Sequence, residues 1–321
     1  MAKNKNRVSP ANILAIIGLA GIGVLTFFGT LFQSEDGSQR GAIITAAALT
    51  LGLSLLIIFM VRAKTTEDDF NMWRIAEWVC LAAYLVVAAL FYKPVLQFFH
   101  IVQHKEELQT MALKEIEQID STYAYYNIWA MGKVNETKGN IDSYLKSGQN
   151  AFEVEGDGGL YNYLKDFDNA EQWKEEVVSE VKFGDARIDS TLKNKVYNWN
   201  LMELSSIAYD MKDLASENWT ELSNHLKDME KQDLIPVIKY DEIYKKEGLY
   251  KFNLGEKPQS SAFVAKFREP VSGNNVGWIV YIVLHVLVLL NYFLVRRSPI
   301  IQIRKDKRKD DGGLVLDVNE G

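Results

Sequence analysis

Four strongly apolar runs divide the chain, and one long hydrophilic segment lies between the third and the fourth run. Each run is about 20 residues long, the length that an α-helix needs to cross about 30 Å of hydrocarbon. A backbone in lipid must satisfy its own hydrogen bonds, so four such runs predict four transmembrane helices. The runs are Ile13–Phe32, Gly41–Met60, Ile75–Tyr92 and Val276–Val295.

The hydrophilic segment, residues 94–275, carries two long amphipathic patterns. Apolar residues recur at helical spacing from Leu108 to Leu145, with Gly132 and Gly139 as points where a helix could be interrupted. A second stripe at the same spacing extends from Leu192 to Met229. Two long helices most easily bury such stripes against each other, so the segment is predicted to be a mostly helical domain.

Shorter patterns complete the domain. Short helices are predicted at Leu160–Phe167 and Glu171–Lys182, and Pro94, which follows the third span, is expected to kink the chain at the membrane surface. Two β-rich stretches, Leu249–Leu254 and Ala262–Phe267, flank a turn and predict a small β-hairpin. The predicted fold class is therefore a mainly α membrane protein, with four transmembrane helices and a mostly helical extracytoplasmic domain that includes one hairpin.

Lysine and arginine near the span ends set the predicted orientation. The N-terminal tail, the second loop and the C-terminal tail are basic, whereas the first loop has only Arg40 against Glu35 and Asp36. Both termini are therefore expected in the cytoplasm and residues 94–275 outside it. The chain is therefore predicted to have four parts. Residues 1–93 form an N-terminal tail and three transmembrane helices at about 13–32, 41–60 and 75–92, and residues 94–275 form the outer domain. Residues 276–295 form the fourth transmembrane helix, and residues 296–321 form a basic tail.

The composition of the chain indicates the cellular compartment of the outer domain. The one cysteine, Cys80, lies inside the third span, so the outer domain has no disulfide. A cysteine-free outer domain rich in Lys, Asn, Asp and Tyr points to a bacterial inner membrane and a periplasmic domain. The outer domain holds 21 basic and 31 acidic residues, and we expect no nucleic-acid partner.

The chain has few candidate reactive groups. His100 and His104 lie four residues apart with Glu107 one turn further, which could hold zinc, but the segment lacks the His-Glu-x-x-His pattern of catalytic zinc sites. His285 lies within the fourth span and could serve a proton relay, or it could simply hydrogen-bond to a neighbouring helix. We therefore predict no catalytic residue, no metal, no cofactor and no enzymatic activity.

Aromatic clusters offer a candidate contact surface, although tyrosines suit a bundle core equally well. The candidate interaction residues are Tyr123, Tyr125, Tyr126, Trp129, Tyr161 and Tyr163. A basic cluster just after the fourth span could contact anionic lipid, or it could act only as a topology signal. That cluster consists of Arg304, Lys305, Lys307, Arg308 and Lys309.

Small residues in the first two spans favour close helix packing, within the chain or between subunits. They are Gly18, Gly21, Gly23, Ala46–Ala48 and Gly52. We predict a scaffold subunit of an envelope-spanning complex, with the lipid bilayer and other envelope proteins as partners and a homo-oligomer inside the complex. The alternatives are a ligand sensor or receptor that acts through a separate cytoplasmic partner, or a transporter accessory subunit.

The arrangement of four spans, a mostly helical insert before the last span and a short basic tail resembles the TssN family. These proteins are inner-membrane subunits of the type VI secretion apparatus of Bacteroidota. The resemblance rests on layout and composition across the chain. It implies a role in protein secretion and a place in an inner-membrane assembly.

Overall fold

The computed structural model describes residues 9–35, 38–66, 70–147, 169–183, 188, 190–231, 252–258, 260–269 and 275–295. The chain divides into two units. The membrane unit comprises Met1–Lys105 with Arg268–Gly321, and the polar unit comprises Glu106–Phe267. The regular structure in the described ranges is helical, which confirms the mainly α prediction.

Four helices of the membrane unit are long and apolar enough to cross a bilayer, as the sequence predicted. Helices α1 (Pro10–Gln33), α2 (Gln39–Thr65) and α3 (Phe70–Leu90) contain the first three apolar runs, and α11 (Asn275–Leu294) contains the fourth. Large apolar side chains point out of the bundle, such as Ile16 at 62% exposure and Ile44 at 68%. An exposed apolar surface of this extent requires an apolar solvent, so the unit associates with a membrane.

Helix α1 packs against α2 and α11 through its glycines. A Cβ at Gly18 would lie 2.8 Å from Val288 and 3.0 Å from the carbonyl oxygen of Leu284 on α11, and one at Gly23 would lie 2.8 Å from Thr50 on α2. A glycine at such a crossing allows two helices to approach closely. The small residues of α1 therefore serve packing within the chain, whereas a Cβ at Gly52 would meet nothing within 4 Å.

Where a kink was predicted at Pro94, the helix is interrupted just before that residue. Helix α3 ends at Leu90, and α4 (Tyr92–Gln103) begins after Phe91, which leaves helical geometry with a ψ of 15°. Proline fits the first turn of a helix because its missing N–H is not needed there, while its ring would clash with the carbonyl of residue i−4. For Pro94 that residue is Leu90, where α3 stops.

The polar unit is built on one long helix, α5 (Lys105–Ser147), which has 43 residues and continues through Gly132 and Gly139. At 1.5 Å per residue this helix is about 65 Å long. Where the structure describes its side chains, the predicted stripe is largely buried, including Leu108, Ile116 and Val134 at 0% exposure. The core lies between α5, α6 (Ala170–Val181) and α9 (Leu214–Lys231), and Phe252 also belongs to it.

The single long helix predicted over Leu192–Met229 is wrong. The segment forms three helices, α7 (Ser190–Asn198), α8 (Leu204–Lys212) and α9. The first break follows from Trp199, which adopts a left-handed φ of 47° directly after α7. The Gln109 side chain on α5 donates to the carbonyls of Val196 and Tyr197 at 2.9 and 3.0 Å. A tertiary contact thus satisfies carbonyls at the end of α7 that a continuous helix would satisfy itself.

The second strand of the predicted hairpin is also wrong, because Ala262–Phe267 forms helix α10. Ser261 caps its first turn, with its hydroxyl accepting from the Val264 N–H at 3.1 Å. The Glu115 carboxylate on α5 accepts from the Phe263 N–H at 2.8 Å and from the Ser261 hydroxyl at 2.6 Å. These partners satisfy the free N–H groups of a helix start, which outweighs the β propensity of the sequence.

Gly255, the first residue of the predicted turn, has a conformation that favours glycine. Its φ is +70°, and its N–H donates to the Asn253 side chain at 2.9 Å. Residues 252–258 contain no strand, while Leu249–Lys251 lie outside the described residues, as does the predicted helix Leu160–Phe167. The predicted helix Glu171–Lys182 is confirmed as α6, which begins one residue earlier and ends one residue earlier.

Candidate functional site

Two of the predicted contact tyrosines lie in the core of the polar unit. Tyr126 is fully buried, and its hydroxyl donates to the Val181 carbonyl at 2.9 Å. Tyr123 is 3% exposed, and its hydroxyl donates to the Asn218 side chain at 2.5 Å. Burial raises the pKa of the Tyr126 hydroxyl above its ordinary value, because the interior disfavours the phenolate. These two tyrosines stabilise the unit and are not available to a partner.

Trp129 belongs to the same aromatic cluster. Its ring lies 5.2 Å from that of Phe252, which also contacts Tyr126 edge to face at 5.2 Å. Trp129 is only partly buried, so it lies at the rim of the core. Aromatic residues with an apolar body and a polar edge commonly occupy such rims.

Tyr125 differs from its neighbours because most of its surface is exposed, although its ring lies 5.7 Å from that of the core residue Phe252. Tyr125 is 63% exposed, and Ile128, one turn further along α5, is 72% exposed. Ser121 and Gly132 continue this side of the helix, and both are exposed. We call the side formed by Ser121, Tyr125, Ile128 and Gly132 the Tyr125 face. The predicted contact residues Tyr161 and Tyr163 lie outside the described residues.

The Tyr125 face combines large apolar side chains with a glycine. A Cβ at Gly132 would meet nothing within 4 Å, so the packing of the described chain does not require glycine there. Glycine in an exposed helix interior costs about 1 kcal/mol relative to alanine. Tyr125 and Ile128 thus form an apolar centre, next to a position where another backbone can come close.

Within the membrane unit, His285 makes the interhelical hydrogen bond that one of the two sequence hypotheses expected. Its Nδ1 lies 2.6 Å from the hydroxyl of Tyr84 on α3, and Tyr84 is fully buried. The ring of Tyr281, one turn earlier on α11, packs edge to face on His285 at 4.4 Å. The hydroxyl of Tyr281 donates to the backbone carbonyl of Ala88 on α3. These polar groups join α3 to α11.

The second intramembrane ionisable group, Glu77, belongs to a different cluster. Its carboxylate accepts from the Tyr292 hydroxyl at 2.5 Å, and Lys64 on α2 donates to the Tyr292 carbonyl at 2.8 Å. Lys64 also lies 4.6 Å from the centre of the Tyr292 ring. Glu77 lies two helical turns before Tyr84, the hydrogen-bond partner of His285, along α3. The separate depths expected from the sequence are therefore present.

Sequence reasoning overlooked the tyrosines that partner these groups. Tyr84, Tyr281 and Tyr292 are all buried, although each lies in a predicted lipid-spanning run. A usable signal was present, because Tyr281 precedes His285 by four residues and so shares its helix face. A tyrosine in a span that lies far from the aromatic belt needs a hydrogen-bond partner inside the bundle.

The histidine pair of the predicted zinc alternative lies at the end of α4. His100 is 7% exposed, and its ring centre lies 4.7 Å from that of His104. In the described part of the chain, no three His, Cys, Asp or Glu side chains come together in a geometry that could hold a metal ion. The basic residues Arg304, Lys305, Lys307, Arg308 and Lys309 lie outside the described residues.

The geometry therefore leaves the Tyr125 face as the candidate site for binding another protein. Comparison with known proteins adds no further candidate. No family model, no curated protein and no solved structure matches this chain.

Proposed function

We propose that this protein is a non-enzymatic inner-membrane scaffold subunit of a trans-envelope complex, and that it docks partners through the Tyr125 face. The observation that carries the proposal is the exposure of Tyr125 and Ile128 on a helix of 43 residues. Tyrosine is enriched among the residues that dominate interface energies, and a helix that is already held by a core loses little backbone conformational entropy on binding. The layout resemblance to TssN makes a secretion complex the first candidate setting.

The partner that fits this face is a helix of another envelope protein. The absence of a side chain at Gly132 permits close approach of a second helix, and Tyr125 and Ile128 would fill the groove beside it. The residues around the apolar centre, Ser121 and Asn135, are polar and exposed. An apolar centre with a polar rim is the usual anatomy of an interface between separately folded proteins.

Tyr125→Ala should release the partner while the polar unit stays folded. Truncation of a central interface tyrosine costs about 2 kcal/mol or more, which lowers partner recovery more than tenfold. Tyr209→Ala is the matched control, because Tyr209 is 54% exposed on α8 and lies outside the face. The measurement is co-purification of crosslinked partners after mild detergent extraction from the native host.

A photo-crosslinking residue gives the second readout of docking. Placed at Ile128, it should join the chain to a membrane-anchored envelope protein, and placed at Tyr209 it should not. Equal crosslinking at both positions, or unchanged partner recovery for Tyr125→Ala, would contradict docking through this face. Crosslinks that form only between copies of this chain would show that the face binds a second copy and not another protein.

We also propose that both termini are cytoplasmic and that the polar unit is periplasmic, on the basis of the basic loops. In a Cys80→Ser background, Glu117→Cys on α5 should react with a membrane-impermeant thiol reagent in intact spheroplasts. Thr65→Cys should react only after lysis, since Thr65 ends α2 next to Lys64 and Arg62. The physical reason is that the reagent cannot cross the bilayer, so in intact spheroplasts it reaches only groups on the outer side. The opposite labelling pattern would show that the orientation is the reverse of the one proposed.

A further inference from the structure

A groove on the surface of the membrane unit runs between α3 and α11. Its volume is about 520 Å³, and α11 lines it from Trp278 to Leu289, with Ala88, Ala89 and Tyr92 on the opposite wall. This volume lies within the range of about 300–1,000 Å³ that is typical of ligand sites. We call it the α3–α11 groove.

The depth of the groove matches one leaflet of a bilayer. Trp278 lies in the first turn of α11, and the helix rises about 16 Å from there to Leu289 at 1.5 Å per residue. The hydrocarbon core is about 30 Å thick, so one leaflet is about 15 Å deep. A lipid acyl chain stays within one leaflet, whereas a transmembrane helix of another protein would pack along the whole span. The depth therefore favours an acyl chain.

The groove is formed by contacts within the protein. The Tyr281 hydroxyl donates to the Ala88 carbonyl, and the Tyr84 hydroxyl lies 2.6 Å from Nδ1 of His285, so α3 and α11 are held together beside the groove. Ala88 and Ala89 have short side chains, which leaves the space between the two helices open. A site that exists before binding costs little reorganisation when a ligand enters.

One side of the groove is continuous with the apolar surface of the membrane unit. Ile282 and Val286 line the groove, and each is 56% exposed. Such a surface is covered by hydrocarbon in a membrane. At the end of the groove, the rings of Tyr92 and Trp278 stack at 4.9 Å. Tyrosine and tryptophan are enriched at the level of the lipid head groups, so this pair marks the head-group end of the groove.

The charge at this end suits an anionic head group. Lys93 follows Tyr92 directly and is exposed, and it has no hydrogen-bond or ion-pair partner among the described residues. None of the residues that line the groove is acidic. The flexible side chain of lysine carries a point charge that commonly binds phosphate. From these observations we infer that the α3–α11 groove binds one acyl chain of an anionic phospholipid, whose phosphate lies at Lys93.

Phosphatidylglycerol and phosphatidylethanolamine with identical acyl chains are the probes, because they differ in net charge and not in their apolar part. The full chain is stripped of lipid in mild detergent, titrated with each probe and analysed by native mass spectrometry, which counts the bound lipids. We expect one tightly bound phosphatidylglycerol per chain. It should bind about fivefold tighter than phosphatidylethanolamine, which corresponds to about 1 kcal/mol for one lysine at the membrane surface.

Two variants test the acyl-chain part and the head-group part separately. Ala89→Leu should weaken both lipids more than about tenfold, because the larger side chain takes the place of acyl methylene groups. Ala48→Leu is its matched control, since Ala48 is also exposed but lies on α2 outside the groove. Lys93→Gln should abolish the preference for phosphatidylglycerol and leave phosphatidylethanolamine binding unchanged. Arg40→Gln is its control, because Arg40 is an exposed basic residue in the first turn of α2.

Three results would overturn the inference. The first is that the stripped chain retains neither lipid. The second is that a control variant weakens binding as much as its partner variant does, which would assign the effect to lipid contact in general. The third is that Ale89-site filling leaves lipid binding unchanged but converts a dimer into a monomer, which would make the groove a contact between two copies. Failure here leaves docking intact, because Tyr125 and Ile128 do not line the groove.

Discussion

Gly29→Ala should prevent α1 and α4 from packing, and it is expected to cause the largest loss of stability in the membrane unit. A Cβ at Gly29 would overlap the backbone carbonyl of Pro94 on α4. A backbone group cannot move aside as a side-chain end can, so the two helices must separate. The crossing is surrounded by packed aromatic rings, with Phe32 and Phe98 stacked at 6.4 Å. We expect a destabilisation of more than about 3 kcal/mol, at or beyond the upper end of ordinary overpacking.

The control for Gly29→Ala is Gly52→Ala on α2. A Cβ at Gly52 would meet nothing within 4 Å, so alanine should be neutral or slightly stabilising there. Fluorescence-detected gel filtration of both variants after heating in mild detergent measures the monodisperse fraction. We expect Gly29→Ala to aggregate at a lower temperature than the parent, and Gly52→Ala to match the parent. Equal behaviour of the two glycines would contradict the close crossing of α1 and α4.

Trp173→Ala should have the largest effect on the polar unit. Trp173 is fully buried on α6 and belongs to the cluster that also includes Tyr126, Val134 and Leu226. Removing a buried tryptophan typically costs about 3–5 kcal/mol. A domain of this size is stabilised by only about 5–15 kcal/mol, so the variant should populate open forms readily. Limited trypsin digestion of the full chain in detergent should cleave the variant much faster within residues 106–267.

Trp173→Phe is the informative companion variant. The indole Nε1–H of Trp173 is buried without an acceptor, so its removal breaks no hydrogen bond in the protein. Phenylalanine keeps most of the apolar surface, and we expect a much smaller increase in the cleavage rate than for alanine. If phenylalanine proved as damaging as alanine, the expectation that buried apolar surface at Trp173 stabilises the unit would be contradicted.

The helices that the sequence predicted well are those whose pattern repeats over many turns. The four spans are recognisable because each is a long apolar run, and α5 because its stripe recurs from Leu108 onward. Length averages out single exceptions such as Gly132, whose cost of about 1 kcal/mol is small against the burial of the whole stripe. Existence and type of such elements are therefore readable without knowledge of their neighbours.

Two predictions were wrong, the continuous second helix and the second hairpin strand. In both places a distant residue on α5 makes a contact that the local sequence does not show. Gln109 caps the end of α7 and so divides a pattern that looked continuous. Glu115 caps the start of α10 and so makes a helix from a β-rich sequence. Neither contact is visible locally, because Gln109 lies 87 residues from Val196 and Glu115 lies 148 residues from Phe263.

The candidate binding residues could likewise be predicted only in part from the sequence. From the sequence alone, the aromatic cluster of α5 could be core or contact surface. Helical periodicity favours burial of Tyr123 and Tyr126, but only packing against α6, α9 and Phe252 decides which side of α5 becomes buried. The exposure of Tyr125 and Ile128 follows from that packing.

The sequence by itself determined that this is a membrane-associated, mainly helical protein with a large polar insert, because hydropathy and helical periodicity are properties of neighbouring residues. The tertiary structure alone decided which glycines are helix crossings, how His285 and Glu77 are partnered, where the long second stripe breaks and which tyrosine faces solvent. Each of these depends on groups brought together from far along the chain. A buried polar group or a glycine has many possible partners in a sequence, and only folding selects one of them.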